Sequence, residues 1–274
     1  MASITINDVH GFAILVTELV EKVGKKFIRA NNVAAKNVTD LQIGGREIKL
    51  EADTMLEKEL IKGLSHTGIA ILSEETGFIP GKSLPQLLWV IDPLDGSYNF
   101  SRNLGPSMIS VALWDENEPV LGVLFNLVTK QMIFGGPQIG AHVGKNPVTV
   151  SDRKDRGQAT LVTGFPSRFP ISDAKAVASF AEILTSFGKV RMIGSACASL
   201  ALVATGSADV YAEHNIMFWD IAAGLAIVNG AGGTFELEGV NLSEGIFSEP
   251  CTVVASNNKF DVSVTMFDKM RGIA

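Results

Sequence analysis

The sequence predicts a protein of mixed class, an α+β first half followed by an α/β second half. Two observations carry that prediction. Segments 107–114, 119–127 and 131–135 read as strands joined by short turns, an antiparallel meander. After Pro147 the rhythm changes, and strand-like runs alternate with helical ones.

The elements follow in order. Phe12, Leu15, Val16, Leu19, Val20, Val23 and Phe27 recur at helical spacing, with Asn7 or Asp8 as the expected cap. A second helix is expected from about Asp53 to Leu64, with Leu56, Leu60, Ile61 and Leu64 facing inward. Two short apolar runs come next: Gly68 to Leu72, ending on Ser73-Glu74-Glu75, and Leu87 to Ile91, ending on Asp92-Pro-Leu-Asp95. The second half reads as strand 159–164, helix 173–187, strand 189–193, helix 196–205, strand 208–212, helix 219–230 and strand 233–237. It closes with strand 251–255 and helix 259–271. A boundary near residue 150 separates 1–150 from 151–274, and no flexible linker marks it, so the halves are expected to pack as one unit.

Composition narrows the function. The 274 residues are 46% hydrophobic and 19% charged, with a formal net charge of −6. A disordered chain needs low hydrophobicity and high net charge. A broad nucleic-acid face needs clustered Lys and Arg, so nucleic acid is not an expected partner. No run reaches the roughly 18 apolar residues of a membrane span. The N-terminal run lacks the basic and apolar regions of a signal peptide. Cys197 and Cys251 sit among small or apolar neighbours and read as buried free thiols, which fits a reducing, cytoplasmic compartment.

Two decoys fall away. Gly77-Phe-Ile-Pro-Gly81-Lys82-Ser83 imitates a P-loop, but it has three residues between the glycines where four are needed, and Pro80 removes a donor. A solvated turn is the expectation there. Asp92 and Asp95 are spaced by three, not by the two of an aspartyl-nucleophile phosphatase, and Pro93 lies between them. The sequence also has no Gly-x-Ser-x-Gly elbow.

A cluster of carboxylates at strand ends remains. If the two apolar runs are neighbouring strands, Glu74, Glu75, Asp92 and Asp95 converge, and Asp220 opens a later apolar helix. At an effective dielectric near 20, two like charges about 4 Å apart repel by roughly 4 kcal/mol. An all-oxygen set of this kind suits a hard cation such as Mg²⁺. Taken singly, Glu75 reads as a solvated loop acid and Asp220 as an N-cap. Asp92 and Asp95 are harder to dismiss: Gly96 and Ser97 follow with free N–H groups, a setting that suits an anion beside the cation.

Trp89-Val-Ile-Asp-Pro-Leu-Asp-Gly-Ser-Tyr-Asn-Phe-Ser-Arg-Asn103 resembles the first signature of the inositol monophosphatase family. Trp219-Asp-Ile-Ala-Ala-Gly-Leu-Ala-Ile-Val-Asn-Gly-Ala-Gly-Gly233 resembles its second, and Leu72-Ser-Glu-Glu-Thr76 is similar to its glutamate motif. The resemblance implies a layered α-β-α-β-α sandwich of the sugar-phosphatase type, a homodimer, lithium sensitivity and two or three Mg²⁺ per subunit. It places Glu74, Asp92 and the Leu94 carbonyl on the first ion, and Asp92, Asp95 and Asp220 on the second. Glu74 also lies near a third. It assigns Gly96 and Ser97 to phosphate, the Ser97 hydroxyl to the attacking water, and Asp53 to that hydroxyl. Gly194, Ser195, Ala196 and Glu213, with Asp95 and Asp220, fall where the family meets its substrate.

Two departures stand out. The family's Val-Thr pair before the acid is replaced here by Ile48-Lys-Leu-Glu-Ala-Asp53. Its usual Thr is Ser97, which keeps the hydroxyl. The implied reaction is Mg-dependent hydrolysis of a phosphate monoester by metal-activated water. Inositol monophosphate leads, because chain length, Ala196 and Glu213 agree with that branch. Fructose 1,6-bisphosphate, histidinol phosphate and a 3′-phosphoadenosine nucleotide are alternatives, as is a regulatory binding protein on the same scaffold.

Overall fold

The computed structural model describes residues 4–30, 38–42, 47–165, 172–260 and 263–268, with backbone only at 38–42 and 47–49. Helix α1 (Ile6–Arg29) buries Val9, Ala13, Val16, Val20 and Val23; of the predicted stripe, Phe12, Leu19 and Phe27 are only partly buried and Leu15 is exposed, so the buried face is rotated toward Val9 and Ala13. Its cap is Thr5, earlier than expected, because Asp8 at the third helical position accepts the Thr5 N–H at 2.9 Å while Thr5 receives the Asp8 N–H at 3.3 Å. An unpredicted antiparallel pair follows, β1 (Val38–Gln42) and β2 (Glu47–Leu50). Helix α2 (Glu51–Leu64) starts two residues before Asp53, for a reason that belongs to the site.

The larger sheet has eight strands. In chain order they are β3 (Ala70–Ser73), β4 (Gly77–Ile79), β5 (Leu87–Asp95), β6 (Met108–Asp115), β7 (Glu118–Asn126), β8 (Met132–Gly136), β9 (Gly140–Val143) and β10 (Asn146–Val148). Helix α3 (Ser97–Arg102) leaves the end of β5. The spatial order is β10-β9-β8-β7-β6-β5-β3-β4. The meander is antiparallel as expected and runs two strands further. Residues Gly77–Ile79 of the P-loop look-alike form edge strand β4, where a turn was expected.

The smaller sheet contains β11 (Thr160–Thr163), β12 (Lys189–Met192), β13 (Val210–Ile216), β14 (Thr234–Glu238) and β15 (Cys251–Ser256), ordered β12-β11-β13-β15-β14. Helices α4 (Ala174–Thr185), α5 (Ala196–Ala204) and α6 (Phe218–Gly230) alternate with them. The β11 pairings are parallel, but β15 runs antiparallel to both neighbours, so the α/β rhythm yields a mixed sheet. The expected helix at 259–271 lies partly outside the described residues. Within them, Val264–Phe267 forms a single 3-10 turn.

Three apolar cores define five layers. One packs α1 and α2 on the outer face of the large sheet, through Val16, Leu56, Leu60, Trp89 and Val123. The largest joins both sheets through α5 and α6, with Leu200, Phe218, Ala222 and Leu225 between Trp114 and Val253. The third covers the far face of the small sheet through Ile183, Phe187 and Phe267. The order is α-β-α-β-α. Helix α6 is apolar on all sides, as a helix between two sheets must be. It lies so close to β7 that a Cβ on Gly122 would stand 2.0 Å from the Ala223 carbonyl oxygen, which reserves that position for glycine.

Candidate active site

Strands β3 and β5 are parallel neighbours, with Ser73 opposite Ile91. Their acidic ends therefore emerge at one edge of the sheet, as the sequence predicts. The β5–β6 pairing breaks between Asp92 and Asp95, where Pro93 offers no ladder donor. Asp92 Oδ1 accepts the Leu94 N–H at 3.0 Å and so closes a tight turn. Gly96 then takes φ of +82°, a left-handed conformation, and a Cβ there would meet the Pro106 and Gly194 carbonyls. The chain turns sharply into α3, led by Ser97.

Asp53 and Asp220 reach the site by the same device. Each stands at the third position of a helix, where its carboxylate accepts the N–H of the residue before the helix. Asp53 Oδ2 takes Leu50 N–H at 2.8 Å, and Asp220 Oδ2 takes Met217 N–H at 3.2 Å. That bond fixes each side chain by one oxygen, and the other oxygen of Asp53 meets the Ser97 hydroxyl. Asp220 is thus not the N-cap its position suggests; Met217 is. The Leu50 N–H bond also explains why α2 begins before Asp53.

The Ser97 hydroxyl lies 2.9 Å from Asp53 Oδ1 and 2.8 Å from the Leu94 carbonyl. Asp53, Glu74 and Glu75 each bring one carboxylate oxygen within 4.8 Å of the others. Glu75 is half-buried in this group, in keeping with the convergence expected of the strand-end acids and unlike the solvated loop acid it would be if taken singly. Asp95 turns toward α5. Its Oδ1 accepts Ala196 N–H at 3.1 Å, and its Oδ2 accepts Cys197 N–H at 3.0 Å and the Ser195 hydroxyl.

Glu213 is buried, with the Tyr211 hydroxyl donating to its Oε2 at 2.9 Å and Gly164 against its carboxylate. Gly194 is exposed beside buried Ser195 and Ala196. Sequence reasoning missed Asn99, whose side-chain amide donates to the Ile193 carbonyl at 2.9 Å and to the Pro106 carbonyl at 3.1 Å. It fastens α3 to the segment carrying Gly194 and Ser195.

The electrostatics are those of crowded, buried acids. Burial, then the charges of Glu74, Asp95, Asp220 and Asp53, push Asp92 well above the carboxylate range. Asp220 rises for the same reason, through burial and the charges of Glu74 and Asp95. Burial lifts Asp53 to about 6 against its bonds to Leu50 and Ser97. Asp95 also rises to about 6 by burial, although its bonds to Ser195, Cys197 and Ala196 oppose the shift. Burial takes Glu213 to about 7. The donors are all oxygen, and Glu74, Asp95, Asp220 and Asp53 together raise Asp92. A hard divalent cation fits such a set, because it favours the charged forms that burial penalises.

Fold and site together define a layered α-β-α-β-α protein with an acidic cluster at the carboxyl ends of β3 and β5. A sequence profile described as the inositol monophosphatase family matches residues 10–261. The chain belongs to that family. It is 31% identical over 241 residues to the Nus factor SuhB of Xylella fastidiosa, covering 84% of this chain and 86% of that one. It is 32% identical over 230 residues to the inositol-1-monophosphatase of Synechocystis, covering 81% and 77%. The crystal structure of the extragenic suppressor protein suhB from Bartonella henselae superposes with a TM-score of 0.78 at 25% identity, covering 96% of this chain and 98% of that one. Among the described residues no helix is long and apolar enough to cross a membrane.

Proposed function

We propose that the protein hydrolyses a small phosphate monoester with Mg²⁺, with inositol monophosphate as the leading substrate. One observation carries this reading: Asp53, Glu74 and Glu75 bring carboxylate oxygens within 4.8 Å of one another near buried Asp92, whose pKa burial and neighbouring carboxylates push upward, an arrangement that a bound hard cation relieves. Glu74, Asp92, the Leu94 carbonyl, Asp95 and Asp220 would hold two or three Mg²⁺, which supply a nucleophilic water and stabilise the leaving oxygen.

The chain's own groups do the rest. Ser97 orients the attacking water, and Asp53 Oδ1, 2.9 Å from its hydroxyl, fixes that hydroxyl and can take its proton. The backbone at Gly96 and Ser97 receives the phosphate. Gly194, Ser195, Ala196 and Glu213, with Asp95 and Asp220, border the alcohol portion. Residues 1–150 carry most of the proposed cation ligands and 151–274 complete the substrate side, as one structural unit. A homodimer, lithium sensitivity and cytoplasmic residence accompany the reading.

The test is phosphate release, with and without Mg²⁺, over a panel of inositol monophosphate, fructose 1,6-bisphosphate, histidinol phosphate and a 3′-phosphoadenosine nucleotide. Metal-dependent turnover with preference for inositol monophosphate is expected. Absence of turnover on the whole panel would overturn it. A second reading, a regulatory binding protein on this scaffold, is favoured by the relative named a Nus factor and would then lead.

A further inference from the structure

Glu74 and Glu75 ride on a three-residue turn, Glu74–Thr76, between β3 and β4. Strand β4 is the outermost of the large sheet, so that turn lies at a sheet edge. A sheet-edge turn bearing two like charges is a loose platform for carboxylates that must be placed to within about 0.5 Å. Three bonds from outside the hairpin tie it down. At its start, Glu74 N–H donates to the Ile91 carbonyl of β5 at 3.2 Å. At its end, Glu57 of α2 takes both polar hydrogens of Thr76: Oε1 accepts Thr76 N–H at 2.9 Å, and Oε2 accepts the Thr76 hydroxyl at 2.7 Å.

Glu57 is 5% exposed. It follows Asp53 by four residues on α2, so the two carboxylates leave one helix face. Asp53 enters the acid cluster directly, and Glu57 enters it only through Thr76. The same rigid helix thus places one acid and sets the turn that carries two more.

We propose that Glu57 is a positioning residue that, by gripping Thr76, holds the Glu74–Glu75 turn against α2 and so sets Glu74, the proposed cation ligand, beside Asp53. The proposal rests on the Mg²⁺-dependent reading above. A carboxylate suits the task because it only accepts, and Thr76 presents two donors. Glutamine can keep the grip without the charge. Its oxygen accepts the N–H, and its amide donates to the threonine oxygen, which accepts as readily as it donates.

The experiment compares Glu57→Gln, Glu57→Ala and Thr76→Val with the wild type. Mg²⁺ affinity is read as the concentration dependence of the rise in Tm, and amide exchange at Thr76 is followed in metal-free protein. Glu57→Ala should weaken Mg²⁺ by about 10- to 100-fold, the range for groups that orient metal ligands, and should speed exchange at Thr76. Thr76→Val, at an exposed position that leaves the core intact, should weaken Mg²⁺ in the same direction by less. Glu57→Gln should restore both readouts to near wild type. Equal weakening by Gln and Ala would overturn the proposal, since charge would then matter and not grip. So would an Ala variant with a lower metal-free Tm but unchanged Mg²⁺ dependence, which describes a merely structural residue. If the wild type itself shows no Mg²⁺-induced shift, the metal reading fails, and the positioning role fails with it.

Discussion

The Ser97 hydroxyl and Asp53 Oδ1 stand 2.9 Å apart although 44 residues separate them in the chain. The contact exists because α2 packs along β5, whose end leads directly into α3. It gives the hydroxyl an acceptor on one side, with the Leu94 carbonyl 2.8 Å away on the other. Ser97→Ala should lower kcat by about 10²-fold or more, the range for lost general-base assistance, while Ser97→Thr should stay active. Rapid-quench labelling should find no phosphoserine; its accumulation during turnover would replace the direct-water route with a covalent one.

Asp92 is the acid most hemmed in by others, and it also closes the turn through Leu94 N–H. Mg²⁺ should raise the Tm of the wild type by linkage. In Asp92→Asn that rise should shrink and phosphate release should nearly vanish. An Asn variant with normal turnover would remove Asp92 from the site.

The pH dependence has a definite sign. Asp53 and Asp95 rise from 3.8 to about 6 on folding, so between those values the folded state holds more protons than the unfolded one. Without metal, stability should be greatest below about pH 4 on this account and fall as pH rises through 6, by about 1.4 kcal/mol per unit of pKa difference for each group. Mg²⁺ competes with those protons, so its stabilising effect should grow over the same interval. Melting curves from pH 4.5 to 8, with and without Mg²⁺, provide the check. A Mg²⁺-induced shift independent of pH would contradict the assignment.

Glu213 and Asp220 approach from the second half of the chain with different assignments. Glu213→Ala should weaken a polyol phosphate by roughly 1.5–3 kcal/mol in kcat/KM, the range for a charged hydrogen bond, and a small ester lacking that hydroxyl by far less. Asp220→Asn should impair both substrates. Tyr211 already donates to Glu213 Oε2, so Glu213→Ala also tests whether this acid serves the fold. Equal losses on both substrates would assign it to the fold.

Much of the fold was legible because periodicity reports burial. The helical character of α1 and the meander follow from which faces must leave water, and boundaries erred by a few residues where Asp8 and Asp53, each accepting the N–H of the residue before its helix, drew the helices toward the N-terminus. The β1–β2 pair was not legible, having no comparable apolar pattern. The antiparallel direction of β15 was hidden too, since a short buried strand carries no mark of its neighbour's direction.

The sequence by itself determined which acids stand at the ends of apolar runs, that Gly96 and Ser97 follow them, and that the motifs resemble one family. Those features are local, and local chemistry is written residue by residue. Only the tertiary structure decided that Asp53 joins Glu74 and Glu75, that Asp95 turns to the start of α5, that Asn99 fastens α3 to Ile193, and that Glu57 grips Thr76. Each of these is a hydrogen bond or a convergence between elements distant in the chain. Its partner is chosen by how two sheets and three helical layers pack, a choice that no spacing within one segment encodes.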